Sequence, residues 1–161
     1  MSTQNTQPKS AWHPNVTVSA LCERDGKFLL VEEVAKSTGL CVFNQPSGHL
    51  ENGETLVEAV IREVAEETQR HFTPSALLGL YRLAASPQKT YIRYTFIGAV
   101  SEVDPRLPLD PDILAAHWLS VNEIRELSNL RSTLVLRCID DYLAGESYPL
   151  AIIKDWNNYV G

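Results

Sequence analysis

Apolar and polar positions are arranged along the chain in a way that predicts strands first, then one helix, then further strands and helices. Short apolar runs or strict alternation between turn residues indicate strands, whereas an apolar repeat of about 3.6 residues indicates a helix. Asp25-Gly26, between the first two apolar runs, is typical of a β-hairpin turn. The predicted strands cover residues 16–22, 27–31, 42–45, 77–85, 90–100 and 115–119.

Three segments show the helical repeat, and two of them begin with a capping box. Thr55 and Ser120 are each followed three residues later by a glutamate, the spacing in which hydroxyl and carboxylate satisfy each other's backbone N–H groups. The third segment covers residues 132–144 and stops at Gly145, a residue type that commonly ends helices. Because strands and helices do not alternate strictly, the sequence predicts an α/β or α+β fold and not a βαβ repeat.

The first helical segment carries two opposed sets of side chains. Successive helical residues turn by about 100°, so Glu63, Glu66 and Glu67 share one face. Like charges at these spacings repel by roughly 0.2–0.5 kcal/mol per pair, unless a divalent cation binds among them. The alternative is a solvated acidic face that is partly balanced by nearby arginines and a histidine. The predicted core stripe lies nearly opposite the acids: Val57, Ile61, Val64 and Thr68.

Length, charge and cysteine content narrow the fold and its partners. The 161 residues predict one domain over 13–161, after a polar tail over 1–12 that we expect to be disordered. A net charge of −6 without a basic patch argues against a nucleic-acid polymer as partner. The three cysteines form no CxxC pair, which argues against zinc and fits a reducing compartment. No secretory signal or membrane-spanning stretch is present, so we expect a cytoplasmic protein without a membrane partner.

The tryptophans and two of the cysteines are predicted to serve packing and not chemistry. Trp12, Trp118 and Trp156 are expected in the core, in preference to a role in stacking on a nucleobase. Cys22 and Cys138 lie in apolar runs, which predicts buried and inert thiols.

The loop before the first helix changes the interpretation of its acidic face. Seven residues at fixed spacing resemble the box of the Nudix hydrolase family, G-x5-E-x7-R-E-U-x-E-E-x-G-U with U a bulky aliphatic residue: Gly48, Glu54, Arg62, Glu63, Val64, Glu66 and Glu67. Two positions depart from the box: Gln69 replaces its last glycine, and Arg70 replaces its last aliphatic residue. The helix therefore either ends by other means or runs on toward His71.

This resemblance implies a fold, an activity and a set of roles. The implied fold is an α/β/α sandwich with a mixed β-sheet, and the implied enzyme hydrolyses a phosphoanhydride bond with Mg²⁺ or Mn²⁺. Glu63, Glu66 and Glu67 are the implied metal ligands, joined by a backbone carbonyl of Ser47 or Gly48. Glu67, or alternatively Glu63, is implied to align or deprotonate the attacking water. Two further box residues are implied to shape the site by ion pairing: Glu54 and Arg62.

The resemblance extends beyond the box to most of the chain past residue 16. The stretches GKFLLVEE, FNQPSGHLENGETLVEA, SNLRS and YPL look like the NudJ-type branch of the family. That branch removes terminal phosphate from nucleoside tri- and diphosphates and from thiamine-type pyrophosphates. The likeness therefore implies a small phosphorylated substrate and loose selectivity for the base.

Specificity residues lie outside the box, and each upstream candidate has two interpretations. Phe43 either faces the substrate or packs within its strand, and Asn44 and Gln45 either face it or make turn hydrogen bonds. His49, directly after the first box glycine, either contacts phosphate or is solvated.

Downstream candidates are equally open. Arg93 lies on the more polar face of its predicted strand and either grips a phosphate or is solvated. Arg131, in a turn before the last helix, either binds phosphate or caps that helix. Asp110 and Asp112 either lend a late metal ligand or form turns beside prolines.

Several functions are compatible with this pattern. The first is metal-dependent hydrolysis of a small nucleotide or pyrophosphate by a monomer or small homo-oligomer. The same chemistry on ADP-ribose, dinucleoside polyphosphates or oxidised nucleotides is the second. A non-catalytic nucleotide sensor is the third, and an acidic-helix domain without a site is the fourth.

Overall fold

The computed structural model describes residues 12–36 and 38–156. Within them, the predicted strands and helices are present with shifted ends. The helices are α1 (Leu56–Thr68), α2 (Val121–Glu126) and α3 (Leu134–Leu143), followed by a 3₁₀ turn (Leu150–Ile152). The strands are β1 (Asn15–Leu21), β2 (Glu23–Arg24), β3 (Lys27–Val34), β4 (Cys41–Asn44), β5 (Ser47–His49), β6 (Phe72–Ser86), β7 (Lys89–Val100) and β8 (Ile113–Ser120).

The largest shift is at β6, which begins already at Phe72 and contains Pro74. A proline cannot donate a ladder hydrogen bond, so it is confined to edge strands or irregular pairing. Both conditions hold here, because β6 is an edge strand and its pairing with β7 is irregular between Pro74 and Ala76.

The strands of the described residues form two four-stranded sheets. The first has the order β5-β1-β7-β6, with β1 parallel to β7 and the other two pairs antiparallel. In the second, β3 pairs antiparallel with β2, β4 and β8. The first sheet is therefore mixed, as the sequence analysis predicts.

Alternate residues of the central strands supply two separate cores. Val18 and Ala20 of β1 belong to a cluster that includes Val60 and Val64 of α1. Leu21 of β1 belongs to a second cluster, to which α2 and α3 contribute their own buried residues, among them Ile124, Val135, Cys138 and Ile139. Because the period of a strand is two, its faces bury different helices. The α/β/α sandwich and the α+β class are confirmed.

The buried face of α1 differs from the predicted stripe. Ile61, predicted to be buried, is 38% exposed, whereas Glu67 is only 7% exposed. The helix packs on β1, β5 and β6 with Val60 and Val64 at the centre of its buried face. The buried face of α1 therefore lies closer to the acids than the predicted stripe does, and the carboxylates adjoin the core and do not lie opposite it.

The α1 C-terminus resolves one of the open alternatives. Gln69 adopts the left-handed conformation, with φ 52°, and the helix ends there without running on to His71. Its side chain donates a hydrogen bond to the carbonyl of Leu107 at 2.7 Å, and Asp110 N–H donates to the carbonyl of Glu66 at 2.8 Å. The loop that follows β7 is thereby fixed to the end of the helix that carries the acids.

The predictions for the tryptophans and the termini are only partly met. Trp118 packs against the first core, but Trp12 and Trp156 are 65% and 88% exposed, so their prediction is wrong. Both lie outside the strands and helices of the described residues, none of which covers them. The predicted tail lies outside the described residues except for Trp12. The C-terminal segment packs on the first core through Leu150 and Ile153.

The two cysteine predictions are confirmed. Cys22 and Cys138 are 1% and 0% exposed, and burial raises the pKa of Cys22 to about 12. No helix in the described part of the chain has the length and apolarity that crossing a bilayer requires.

Candidate active site

The site is built where β5 leads into α1. β5 lies at the edge of the mixed sheet, with Gly48 opposite Val18 and His49 opposite Thr17 of β1. The loop after β5 ends at Thr55, whose hydroxyl accepts from the N–H of Glu58 at 3.1 Å in the predicted capping box. The cap fixes where the helix begins, and hence which residues of α1 face β5.

Arg62 connects the loop to the acidic face of the helix. Its guanidinium pairs with both oxygens of Glu54, at 2.7 and 3.0 Å, and donates to the carbonyl of His49 at 3.0 Å. It also donates to Glu63 at 2.8 Å and to Glu66 at 3.1 Å. The Glu54 hydrogen bonds are the largest cause of a raised Arg62 pKa. Arg62 therefore holds the loop and two carboxylates in one arrangement.

Glu67 is a buried carboxylate held from its other side by β5. Its Oε2 accepts a hydrogen bond from the N–H of Ser47 at 2.8 Å. Burial raises the pKa of Glu67 well above its usual range, and the charges of Glu63, Glu33 and Asp110 raise it further. The Ser47 hydrogen bond acts in the opposite direction but is outweighed.

The Glu63 carboxylate lies against the backbone of β5 at Gly48, in the space that a larger side chain at that position would occupy. A Cβ atom at Gly48 would overlap the Glu63 carboxylate. The Glu63 side chain is 12% exposed, and burial is the largest cause of its raised pKa. The first box glycine is therefore explained by the close approach of a carboxylate to the backbone.

The three acids of the helix retain free oxygens for a cation. In the described part of the chain, one oxygen of each carboxylate has a protein partner and the other makes no hydrogen bond. As they stand, no three His, Cys, Asp or Glu side chains among the described residues already form a metal cluster. Arg62 draws Glu63 and Glu66 toward itself. Hard carboxylate oxygens fit Mg²⁺ or Mn²⁺ and do not fit a soft metal.

Replacing Gly48 with alanine tests this close packing. We expect Gly48→Ala to displace the Glu63 carboxylate and to lower kcat at least tenfold with little change in Tm, because the overlapping atoms are the far end of a flexible side chain. Thermal unfolding and initial rates measure the two effects. Glu63→Ala should lower kcat to a similar extent, and adding Gly48→Ala to it should cause no further loss, because both changes act on the same carboxylate. Losses of activity that add in the double variant would contradict the proposed clash.

Cationic groups lie on the neighbouring strands. Arg93 of β7 stands opposite Thr17 of β1, which in turn stands opposite His49 of β5. Arg93 as a residue is half-buried, but its Nε and Nη1 atoms are shielded from solvent and have no hydrogen-bond partner in the described part of the chain. Burial lowers the pKa of His49, and the charges of Lys89, Arg93 and Arg131 lower it further. These side chains therefore form one cationic group beside the box.

The upstream candidates divide between packing and open polar groups. Phe43 packs on the second core, and its ring lies 5.6 Å from that of His117. Asn44 donates to the hydroxyl of Ser47 at 2.9 Å. Gln45 is 1% exposed, yet neither its amide nitrogen nor its amide oxygen has a partner in the described part. Buried amides without partners are rare, so Gln45 is the stronger candidate for a ligand contact.

Arg131 and the two loop aspartates have clear local partners. The Arg131 side chain lies 3.4 Å from Glu33, and the backbone N–H of Arg131 donates to the carbonyl of Phe43 at 2.8 Å. Asp110 accepts from the N–H of Asp112 in a turn at 2.8 Å, and Asp112 pairs with Lys36 at 2.9 Å. Turn formation thus accounts for both aspartates, although Asp110 remains close enough to influence Glu67.

Sequence reasoning missed three residues of this region: Glu33, Lys89 and Thr17. Glu33 is mostly buried between Arg131 and Asn44, and its charge reaches both Glu67 and Arg93. The only signal for it was an acidic pair at the end of an apolar strand. Lys89 and Thr17 carry no motif, and only the strand register brings them to the site.

One cavity borders the site, and a larger one lies elsewhere in the fold. One, of about 230 Å³, borders Glu67 between the end of α1 and β8. Another, of about 410 Å³, is lined by β6, α3 and the C-terminal segment, and none of the acids or cations described above lines it. Chemistry therefore assigns the site to the β5–α1 region and not to the larger cavity.

The family comparison agrees with this geometry. The family model of the NUDIX domain matches residues 11–137. The chain belongs to the Nudix hydrolase family. It is 41% identical to phosphatase NudJ of Escherichia coli strain K12 over 144 residues, which cover 89% of this chain and 93% of that protein.

Solved Nudix structures share its fold. A NUDIX hydrolase from Nitrosomonas europaea is 47% identical, with a TM-score of 0.84 over 89% of this chain and 98% of that one. A bifunctional NMN adenylyltransferase/ADP ribose pyrophosphatase from Francisella tularensis, complexed with AMP and Mn ion, has a TM-score of 0.66 over 85% of this chain and 43% of that one. At 23% identity, the latter likeness concerns the fold alone.

Membership defines the reaction class. This Nudix protein is an enzyme that hydrolyses pyrophosphate bonds. Nudix hydrolases generally use divalent metals such as Mg²⁺ and act on small nucleotide-derived substrates. The close approach of Glu63 to Gly48 thus belongs to the box of a pyrophosphohydrolase.

Proposed function

We propose that this Nudix enzyme is a Mg²⁺- or Mn²⁺-dependent phosphatase of nucleoside di- and triphosphates and of thiamine-type pyrophosphates. Water attacks the terminal phosphorus of a diphosphate, the bridging P–O bond breaks, and the products are a monophosphate and orthophosphate. Triphosphates are shortened by successive removal of terminal phosphate. The observation that carries the proposal is that the Nε and Nη1 atoms of Arg93 have no hydrogen-bond partner among the described residues, although Arg93 lies within electrostatic reach of Glu67.

The acidic side of the site would hold the cation. Glu63, Glu66 and Glu67 supply carboxylate oxygens, and a carbonyl of Ser47 or Gly48 supplies one more. A bound divalent cation neutralises phosphate charge and lowers the pKa of a coordinated water. The relevant property is that each acid keeps one oxygen without a hydrogen-bond partner among residues 12–36 and 38–156.

Proton transfer is assigned to the buried acids. Glu67 is oriented by the N–H of Ser47, and Glu63 is wedged between Arg62 and Gly48. Burial raises the pKa of both carboxyl groups above its usual range, which makes each a stronger base toward water. Glu67 is the first choice for accepting the proton of the attacking water, and Glu63 is the alternative. Glu54 and Arg62 position these groups and do not touch substrate.

The cationic side would bind the phosphates. Arg93 offers buried N–H groups that no protein acceptor satisfies, which suits a charge-assisted bond to a phosphate oxygen. Arg131 and His49 lie within electrostatic reach of Arg93 and serve the same anion. Gln45 supplies a neutral donor, and Phe43 packs in the strand β4 that ends just before it. Relatives named phosphatase NudJ, at 41% identity, support removal of phosphate as the reaction.

A substrate panel tests the proposal. GDP, GTP and thiamine pyrophosphate are each incubated with Mg²⁺, Mn²⁺ or EDTA, and orthophosphate and organic products are measured by colorimetry and mass spectrometry. We expect orthophosphate release only with a divalent cation, because the carboxylates of Glu63 and Glu67 repel the anionic pyrophosphate unless a cation lies between them. In ¹⁸O-water the label should enter orthophosphate, as attack at the terminal phosphorus requires.

Other outcomes point to the other functions. A marked preference for ADP-ribose, a dinucleoside polyphosphate or an oxidised nucleotide would replace the substrate and keep the chemistry. Tight nucleotide binding without turnover would indicate a sensor. Turnover in EDTA would contradict the metal proposal. A single domain over 13–161, a cytoplasmic location and a monomer or small homo-oligomer stay predictions.

A further inference from the structure

The outer part of β7 extends the cationic group with an aromatic ring. Alternate residues of a strand share a face, so Thr95, Arg93, Tyr91 and Lys89 follow one another on the same side of β7. Their exposure increases in that order, from the buried Thr95 through the half-buried Arg93 and Tyr91 to the exposed Lys89. Neighbours on one face are about 6.6 Å apart along the strand. The face thus leads from the buried phosphate-binding groups to solvent.

Tyr91 also meets the box directly. Its ring centroid lies 6.1 Å from that of His49, the residue after the first box glycine, at an interplanar angle of 54°. The ammonium of Lys89 lies 5.2 Å from the Tyr91 centroid. The ring therefore stands at the mouth of the site, between a residue of the catalytic loop and a flexible cation.

We propose that Tyr91 is a specificity-determining residue that stacks on the planar heteroaromatic ring of the substrate. This inference rests on the proposed function, since it requires the phosphates to lie at Arg93. A nucleoside or thiamine-type diphosphate carries its ring beyond a short linker from the phosphates. Tyr91 lies two residues from Arg93 on the same face of β7, on the side of the exposed Lys89, and we expect the ring of the substrate there. When substrate binds, Lys89 either leaves the face of the Tyr91 ring or remains on one face of that ring while the substrate stacks on the other.

The composition of this subsite gives it a defined selectivity. Tyr91 offers a π face, and every nucleobase has one, so stacking binds a ring without distinguishing its edges. A base-specific site needs fixed donors and acceptors for the base edge, whereas Lys89 is long and exposed. The subsite therefore prefers ring-bearing diphosphates over aliphatic ones and discriminates weakly between bases.

The test compares two substrate classes in three variants. Wild type, Tyr91→Leu and Tyr91→Phe are assayed with GDP, CDP and thiamine pyrophosphate, which carry rings, and with isopentyl diphosphate, which does not. Stacking is worth about 5- to 100-fold in affinity, so Tyr91→Leu should raise KM for the ring-bearing substrates by that factor. The kcat/KM for isopentyl diphosphate should change less than twofold, and Tyr91→Phe should recover most of the lost affinity.

Leu83→Ala controls for loosening of the hairpin. Leu83 is the cross-strand partner of Tyr91 on β6, and it should leave the ratio between the two substrate classes unchanged. An equal loss for both classes in Tyr91→Leu, or no change in KM, would overturn the inference. If wild type hydrolyses neither class, the proposed function has failed, and calorimetric binding of GDP against isopentyl diphosphate then decides the role of Tyr91 by itself.

Discussion

Glu67→Gln should lower kcat by about 10³-fold with little change in KM. If Glu67 is a metal ligand and proton acceptor as proposed, its loss removes about 4 kcal/mol of transition-state stabilisation, at about 1.4 kcal/mol per tenfold. The substitution is nearly isosteric, and the amide oxygen of glutamine can still accept from the Ser47 N–H that holds Glu67 at 2.8 Å. Steady-state orthophosphate release with saturating Mg²⁺ measures the effect.

Glu67→Gln should also raise the stability of the fold relative to wild type as the pH approaches neutral. Burial raises the pKa of Glu67, so its ionised form is less favourable in the fold than in the unfolded chain. The stabilising contribution of the carboxyl is thus fully present below its unfolded pKa of about 4.3 and is lost as pH rises through the folded pKa. In EDTA, the Tm of Glu67→Gln minus that of wild type should therefore increase from pH 4 toward neutral pH.

Glu126→Gln, on the exposed face of α2, is the matched control. It makes the same charge change away from the site and should alter neither kcat nor the pH dependence of the Tm. Added Mg²⁺ should raise the Tm of wild type more than that of Glu67→Gln, because a cation that binds only the fold stabilises it. Equal rates for wild type and Glu67→Gln would rule out the assigned mechanism.

Arg93→Met should lower activity and raise stability together. We expect kcat/KM for GDP to fall about 10²-fold, because a charge-assisted bond to phosphate is worth about 1.5–3 kcal/mol and the guanidinium makes more than one. Without substrate, the Nε and Nη1 atoms of Arg93 are buried without a partner in the described part of the chain. Unsatisfied buried groups cost about 1–3 kcal/mol, so methionine should raise the Tm by about 2–10 °C.

Arg82→Met on the adjacent strand provides the comparison. Arg82 is exposed on β6, and its loss should change neither quantity. Arg93→Lys retains a charge but not the planar fork, so its kcat/KM should fall between those of wild type and Arg93→Met. A lower Tm for Arg93→Met with unchanged kcat/KM would mean that Arg93 is a structural residue and not a phosphate ligand.

Local rules were sufficient for the elements around the site. Both capping boxes, at Thr55 and at Ser120, are present as their spacing predicts. The left-handed Gly26 in the first hairpin and Gly145 after α3 likewise follow from short-range chemistry. These features depend on residues a few positions apart, so a single stretch of sequence contains all the required information.

Features that depend on packing were predicted less well. Helical periodicity alone suggested a core stripe containing Ile61 and an acidic face opposite it, because it contains no information about which surface covers the helix. In the structure β5 lies beside that face, so Glu67 is buried and Ile61 is 38% exposed. The prediction that Trp12 and Trp156 are buried was wrong for the same reason, since a large apolar residue is buried only if a neighbouring element covers it.

By itself, the sequence determined the family, the α+β class and the acids that would hold a cation, because fixed spacing in one loop and one helix encodes them. Only the tertiary structure decided that Gly48 touches Glu63, that Arg62 joins the loop to the acids, and that two buried nitrogens of Arg93 lack a partner within the described part of the chain. It alone brought Thr17, His49 and Arg93 into one row across three strands. Strand register links residues far apart in the chain, and it is set by the packing of the whole sheet.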